Sequence, residues 1–326
     1  MAEITLIEAV TQALAYELKH DPSVVVLGED VGVNGGVFRA TAGLHARFGS
    51  ERVIDTPLDE TSIAGLAVGM AFQGMKAVAE AQFDGFIFPM MDHIVCHAAR
   101  MRTRTRGRLH CPMVLRAPWG GGIRAPEHHS EAPEALFAHI PGLRVVIPSS
   151  PARAYGLLLA AIRDPDPVIF FEPKRIYRQY KEEVADDGEP LPLDVCFVLR
   201  DGSDLTLVTW GAHVKEALEA ADALAGEGIS TEVIDVATVK PLDFDTIHES
   251  VKKTGRCVIV HEAARTCGIG AEIAAQLAEK AMFDLVAPVE RVTGYDTPMP
   301  LFRLEMKYLP SVDRIVAAAK RTLAYR

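Results

Sequence analysis

The chain alternates, twice over, between short apolar runs and amphipathic helical stretches. That rhythm restricts its fold more than any other feature. In the first half, residues 24–27, 53–54, 77–79, 114–115, 145–147 and 168–171 read as short buried strands. Between them, Ile7, Val10, Leu14 and Leu18 recur at helix spacing until Asp21-Pro22, and further helical patterns cover 62–73, 89–106 and 151–163. Continuous apolar strands separated by helices indicate a parallel sheet covered on both faces. The rhythm stops over 178–203, a charged stretch with Pro190 and Pro192 and no periodicity. It restarts with strands at 205–209, 231–236 and 257–261, and with helices at about 213–225, 243–253, 270–283 and 312–323. The expected architecture is therefore α/β in two domains, each a mostly parallel sheet flanked by helices. The first covers 1–180, a linker covers 181–203 and the second covers 204–326, in keeping with a length of 326 residues.

Charge narrows the function. Thirty-four basic against 44 acidic side chains leave a net −10, which argues against coating nucleic acid or an anionic membrane. The longest strongly apolar run, 63–72, is too short to span a bilayer, and Glu3 and Glu8 stand where a signal peptide needs positive and apolar residues. Five scattered cysteines, none in a CxxC pair, suit reduced thiols. The chain reads as cytoplasmic, with no membrane or nucleic-acid partner.

Several segments carry candidate chemistry. In DTPLDETSIAGLAVGMAF, residues 55–72, Glu60 leads into a helix of small residues that allow another backbone to approach, and Thr61 or Ser62 can cap it. A helix-start acid is by itself an ordinary solvated group. In AEAQFDGFIFPMMDHIVCHAAR, Phe83, Phe86 and Phe88 lie beside Gly85; such aromatics serve a core more often than a cofactor, yet a flat heterocycle can stack on them. His93 and His97 stand at i, i+4 and could share a metal, but the Glu of HExxH is missing and no third ligand is signalled. The arginines at 100, 102, 104, 106 and 108 wrap around a helix and make no stripe, so a solvated or partner-facing surface is the better reading. The loop PWGGGIRAPEHHSEAPE places His128 and His129 after a strand and three glycines, where α/β proteins tend to carry catalytic groups. An imidazole there can move protons near neutral pH. GIG at 268–270 fails the GxGxxG fingerprint, and there is no GxxxxGK[ST], GxSxG or GDG motif.

In order and spacing, VVVLGEDVG with GGVFRAT, DTPLDE, AEAQFDGFIFPMMDHI, PWGGG with HHSEAPEA, GLRVVIPSSP, DPDPVIFFEPKRIYR, KTGRCVIVHEA, RVTGYDTP and YLPSVDRI resemble the β subunits of thiamine-diphosphate-dependent 2-oxo acid dehydrogenases, the E1 component. The likeness covers essentially the whole chain. It implies a pyrimidine-binding domain followed by a transketolase-type C-terminal domain. It also implies an α2β2 heterotetramer whose α subunit carries the GDG motif for the diphosphate and Mg2+.

The resemblance further implies roles for single residues. Glu60 matches the glutamate that hydrogen-bonds the aminopyrimidine. Phe86 matches the aromatic that stacks on that ring, with Gln82 and Leu58 close by on the cofactor. His129 matches the active-site histidine that assists decarboxylation or acyl transfer; many members lack a histidine matching His128. A monovalent cation, K+, is implied through backbone carbonyls at Val114, Ala161, Asp164 and Asp166. The implied reaction is oxidative decarboxylation of pyruvate, with acyl transfer to the lipoyl domain of an E2 that docks on the C-terminal domain. Branched-chain 2-oxo acids and acetoin are the alternative substrates. A non-catalytic E2-docking scaffold is the rival of another class, and Glu60 beside an aromatic platform argues against it.

Overall fold

The structure, a computed structural model, describes residues 2–325. The chain divides into two compact units: one runs through Trp119 and resumes over Leu136–Leu193, and the other takes Gly120–Ala135 and the chain from Asp194 onward.

Unit 1 contains β1 (Ala2–Ile4), α1 (Leu6–His20), β2 (Val24–Gly28), α2 (Leu44–Phe48), β3 (Val53–Asp55), α3 (Glu60–Phe72), β4 (Lys76–Glu80), α4 (Met101–Arg104) and β5 (Met113–Trp119). The chain returns to it through α5 (Glu134–Ala138) and continues with β6 (Arg144–Val146), α6 (Pro151–Arg163), β7 (Val168–Pro173) and β8 (Glu182–Val184). Six strands pair in the order β6-β7-β5-β4-β2-β3, all parallel. β2, β5 and β7 are buried along their whole length, which is why they read as unbroken apolar runs. α1 starts on a capping box between Thr5 and Glu8. It packs against α6, where the Arg163 guanidinium donates to Glu17 at 2.6 Å. The cap of α3 is Asp59, whose carboxylate accepts from Ser62 N, so the helix begins before Thr61 and Ser62, the caps expected from sequence.

Two further sequence expectations fail locally. The single helix over 89–106 is instead a 3-10 stretch Asp84–Met90, a π turn Asp92–His97, a 3-10 turn Ala98–Arg100 and α4. Pro89 lacks an N–H, and the π turn shifts the register, so one apolar stripe cannot continue. The expected linker 181–203 is also largely structured. β8 pairs antiparallel with β1, Leu191 N donates to Gly156 O, and unit 1 ends only at Leu193. Strand pairing with few apolar residues leaves no periodic signal.

Unit 2 contains β9 (Phe197–Arg200), β10 (Leu205–Thr209), α7 (Val214–Ala225), β11 (Thr231–Asp235), β12 (Thr238–Lys240), α8 (Phe244–Thr254), β13 (Cys257–Val260), α9 (Ile269–Lys280), β14 (Glu290–Val292), α10 (Glu305–Tyr308) and α11 (Val312–Leu323). Its sheet runs β14-β13-β10-β11-β9, parallel except for β9 at the edge. Alternate residues of β10 serve opposite faces. Leu205 and Leu207 join Ala217, Ala221, Leu224, Ile315 and Ala319 in the core under α7 and α11. Thr206 points the other way and bonds Ser250 and Thr254 of α8 at 2.7 Å each. Among the described residues, no helix is long and apolar enough to cross a membrane.

Candidate functional site

The C-terminal ends of the central parallel strands of unit 1 gather acids and aromatics, the position at which open α/β sheets bind ligands. β2 ends in Gly28 and is followed by Glu29 and Asp30. β3 leads through the exposed Leu58 to Asp59 and the half-buried Glu60 at the first turn of α3. β4 leads to Gln82, whose amide donates to Asp30 Oδ2 at 3.4 Å. Thr61 Oγ1 donates to Pro89 O at 3.3 Å, so the start of α3 is tied to the 3-10 stretch that carries Phe86.

Glu29 is buried, and its Oε1 has no hydrogen-bond partner. Burial first, and then the nearby charge of Glu60, push its pKa up. Hydrogen bonds from Ser62 pull Asp59 the opposite way, below the usual carboxylate range. The aromatics form a chain: Phe83 lies edge-on to Phe38 at 5.4 Å and to Phe86 at 5.8 Å, and Phe38 approaches Tyr177 at 5.3 Å. Phe86 keeps partial exposure.

A closed ion network underlies this region. Arg116, buried on β5, donates to Glu80 at 2.8 Å and to Glu172 at 2.6 Å, and Tyr177 OH donates to Glu172 at 2.7 Å. Lys174 and Asp84, both fully buried, pair at 2.6 Å.

His128 and His129 lie on the loop that follows β5 and belongs to unit 2. His129 Nδ1 is 2.9 Å from Glu127 O, which orients the ring. His128 has a left-handed backbone (φ 67°) and faces Glu131 at 3.5 Å. The unit division assigns Glu60, Gln82, Phe86 and Leu58 to unit 1, and His129 to unit 2.

The positions read as carbonyl ligands also fall in unit 1. Ala161 and Asp164 are at the C-terminal end of α6, where Asp164 N donates to Ala161 O at 3.4 Å, and Val114 on β5 pairs with Val168, two residues beyond Asp166. The Asp164 and Asp166 side chains are engaged by Arg144 and Arg102, each at 2.9 Å. The structure adds Asp92 to the His93/His97 pair, with ligand atoms within 4.8 Å of one another, but Arg104 donates to His97 Nδ1 at 3.4 Å and opposes a cation there. Sequence reading missed Glu29, Glu262 and Glu305. Each is an acid beside apolar residues, and only burial distinguishes it from a surface acid.

The family model described as transketolase, pyrimidine binding domain matches residues 2–179, and that for transketolase, C-terminal domain matches 196–315. The chain is 52% identical over 321 residues to the pyruvate dehydrogenase E1 component subunit beta of Acholeplasma laidlawii, covering 98% of each chain. It is 48% identical over 325 residues to the subunit of the same name from Bacillus subtilis (strain 168), covering 100% of each. Among solved structures, a split gene transketolase described as an inactive beta4 tetramer superposes with a TM-score of 0.82 at 25% identity over 99% of each chain. A transketolase from Leishmania mexicana, with a TM-score of 0.71 at 18% identity, shares the fold over 100% of this chain and 47% of its own. These matches bear out the resemblance and the α/β reading made from sequence. With relatives matched end to end and both domain models in order, the chain belongs to the family of pyruvate dehydrogenase E1 component β subunits, built from two transketolase-type domains.

Proposed function

We propose that the chain is one half of a thiamine-diphosphate site. With an α subunit, it oxidatively decarboxylates pyruvate and passes the acyl group to the lipoyl group of an E2 acyltransferase. The observation that carries this is that the acids Glu29, Asp59 and Glu60 cluster at the strand ends of unit 1, where Thr61 ties α3 to the 3-10 stretch of the Phe38–Phe83–Phe86 chain, in a chain whose full-length relatives are named pyruvate dehydrogenase E1 component subunit beta. These residues fit an aminopyrimidine. Glu60 offers a carboxylate that shares a proton with a ring nitrogen, Phe86 and Leu58 offer apolar surface, and Gln82 offers an amide. The unpartnered buried oxygen of Glu29 suits a neighbouring protonated acid. When bound, thiamine diphosphate supplies a nucleophilic carbon and an electron sink for loss of CO2. His129 donates and accepts protons through its imidazole.

The diphosphate and its Mg2+ are assigned to the α subunit, because the chain has no GDG motif. The same reading includes an α2β2 heterotetramer, E2 docking on unit 2, and K+ on carbonyls of Val114, Ala161, Asp164 and Asp166. It also includes a cytoplasmic setting, supported by five free cysteines.

The test is turnover of the enzyme assembled with an α subunit. Glu60→Gln keeps the shape and removes the carboxylate, so kcat falls by about 10^2-fold with assembly intact. His129→Ala falls by about as much, and His128→Ala by less. Near-normal turnover of Glu60→Gln would contradict the reading of the site. A reversed order of the two histidines would move the catalytic assignment to His128.

A further inference from the structure

We infer that Glu262 and Glu305 are positioning residues that hold the histidine loop by its backbone; the inference rests on the reading that His129 transfers protons. After β5 the chain runs through three glycines, and the amides of Gly121 and Gly122 meet two buried carboxylates of the same unit. Gly121 N donates to Glu262 Oε1 at 2.6 Å. Gly122 N and Arg124 N both donate to Glu305 Oε1, at 2.6 and 3.2 Å. Gly120 N donates to the carbonyl of Glu131 at 3.0 Å, which closes the loop that contains both histidines.

The fit leaves no room for side chains. A Cβ on Gly120, which has φ +83°, would stand 2.6 Å from Glu262 Oε1, and one on Gly121 would stand 2.5 Å from Met299 Cε. Gly120 is therefore required both by the approach of Glu262 and by its left-handed backbone, and Gly121 by the packing of Met299.

The two carboxylates are themselves held in different ways. Glu262 is buried and its Oε2 lies 3.1 Å from His213 Nε2, which anchors it to the start of α7. Glu305 is equally buried, yet its Oε2 has no hydrogen-bond partner. It lines a cavity of about 20 Å³ with His128, Ser130 and Glu131, room for one water. A buried carboxylate satisfied only by loop amides on one oxygen is a poor way to stabilise a fold. It is an effective way to fix a Gly-rich segment, since charge-assisted bonds to N–H groups are short and directional.

The experiment measures amide hydrogen exchange and turnover on the assembled enzyme. Glu305→Ala should speed exchange at Gly122 and Arg124 by about 10- to 100-fold, the scale of a lost charge-assisted bond, with other amides unchanged. Glu262→Ala should do the same at Gly121. Glu305→Gln keeps an accepting oxygen and should stay within about 3-fold of the wild type in exchange and in kcat. Glu305→Ala should lower kcat by about 10-fold or more and leave KM for the 2-oxo acid nearly unchanged, and it should add little on top of His129→Ala, because both changes remove the same group from its place. Unchanged exchange at the three amides overturns the inference, and so does a kcat loss that is as large in the His129→Ala background as in the wild type. Normal turnover of His129→Ala alone would overturn the role given to that histidine, and the exchange data would still decide whether the glutamates hold the loop.

Discussion

Both units bury carboxylates, and they give them different partners. In unit 1, Glu80 and Glu172 close on the Arg116 guanidinium, and Asp84 closes on Lys174. Acid and base come from neighbouring strands or the segments just beyond them, so the network is satisfied within the sheet. In unit 2, Glu262 and Glu305 face backbone amides of a glycine-rich loop, and His213 meets the first of them. The closed network stiffens a scaffold under the candidate pyrimidine site. The open pair sets the position of a mobile kind of sequence, one rich in glycine, that carries a titratable ring. Removing a partner from the first should therefore unfold, and removing one from the second should mainly misplace.

The largest expected effect breaks the closed network. Arg116→Met leaves two carboxylates buried without their cation and should cost about 3–5 kcal/mol of stability, measured by chemical unfolding. Replacing Arg116, Glu80 and Glu172 together with apolar residues of similar volume should restore most of that loss. A cost below about 1 kcal/mol for Arg116→Met would erase the contrast between the units.

A pH titration sharpens the contrast from the side of unit 2. His261 is buried and stacked on Trp210 at 5.2 Å, and burial, followed by the charge of His213, pushes its pKa down to about 3. An unfolded histidine titrates near 6.5. Above that pH the ring is neutral in both states and the stability is complete. As the pH falls from about 6.5 toward 3, the unfolded state takes up a proton that the native state refuses. Stability should fall by at most about 1.4 kcal/mol per pH unit across that window. Unfolding at pH 7 and pH 5 should show the slope in the wild type and a shallower one in His261→Phe. Equal slopes would contradict the buried, neutral ring.

The smallest effect concerns a cap. Asp243 accepts from Thr246 N at 3.2 Å at the start of α8 and also from Cys196 N at 2.9 Å. Asp243→Ala should cost about 1–2 kcal/mol in thermal unfolding and leave the loop amides at 121–124 protected.

Much of the scaffold was legible because its strands are buried on both faces. Runs such as VVVL and VIFF can only be interior, and β10 and α11 fall where periodicity puts them. The 84–104 segment was not legible, since its helical pattern hides a change of hydrogen-bond register around Pro89 and the π turn. Nor was 181–203, where β1 and β8 pair through only three residues each, too few for a periodic signal. At the site, Glu60, Phe86 and His129 stood out through their motifs. Glu29, Glu262 and Glu305 did not, because a buried acid is recognised by what surrounds it in space.

The central claim is that the chain holds the pyrimidine half of a cofactor site and requires a partner for the rest. Calorimetric titration of thiamine diphosphate with Mg2+, into the chain alone and into its mixture with a GDG-containing α subunit, tests it most directly. The account predicts weak binding and no decarboxylation by the chain alone, and tight, Mg2+-dependent binding that appears together with activity in the mixture. Tight binding and 2-oxo acid decarboxylation by the isolated chain would contradict it.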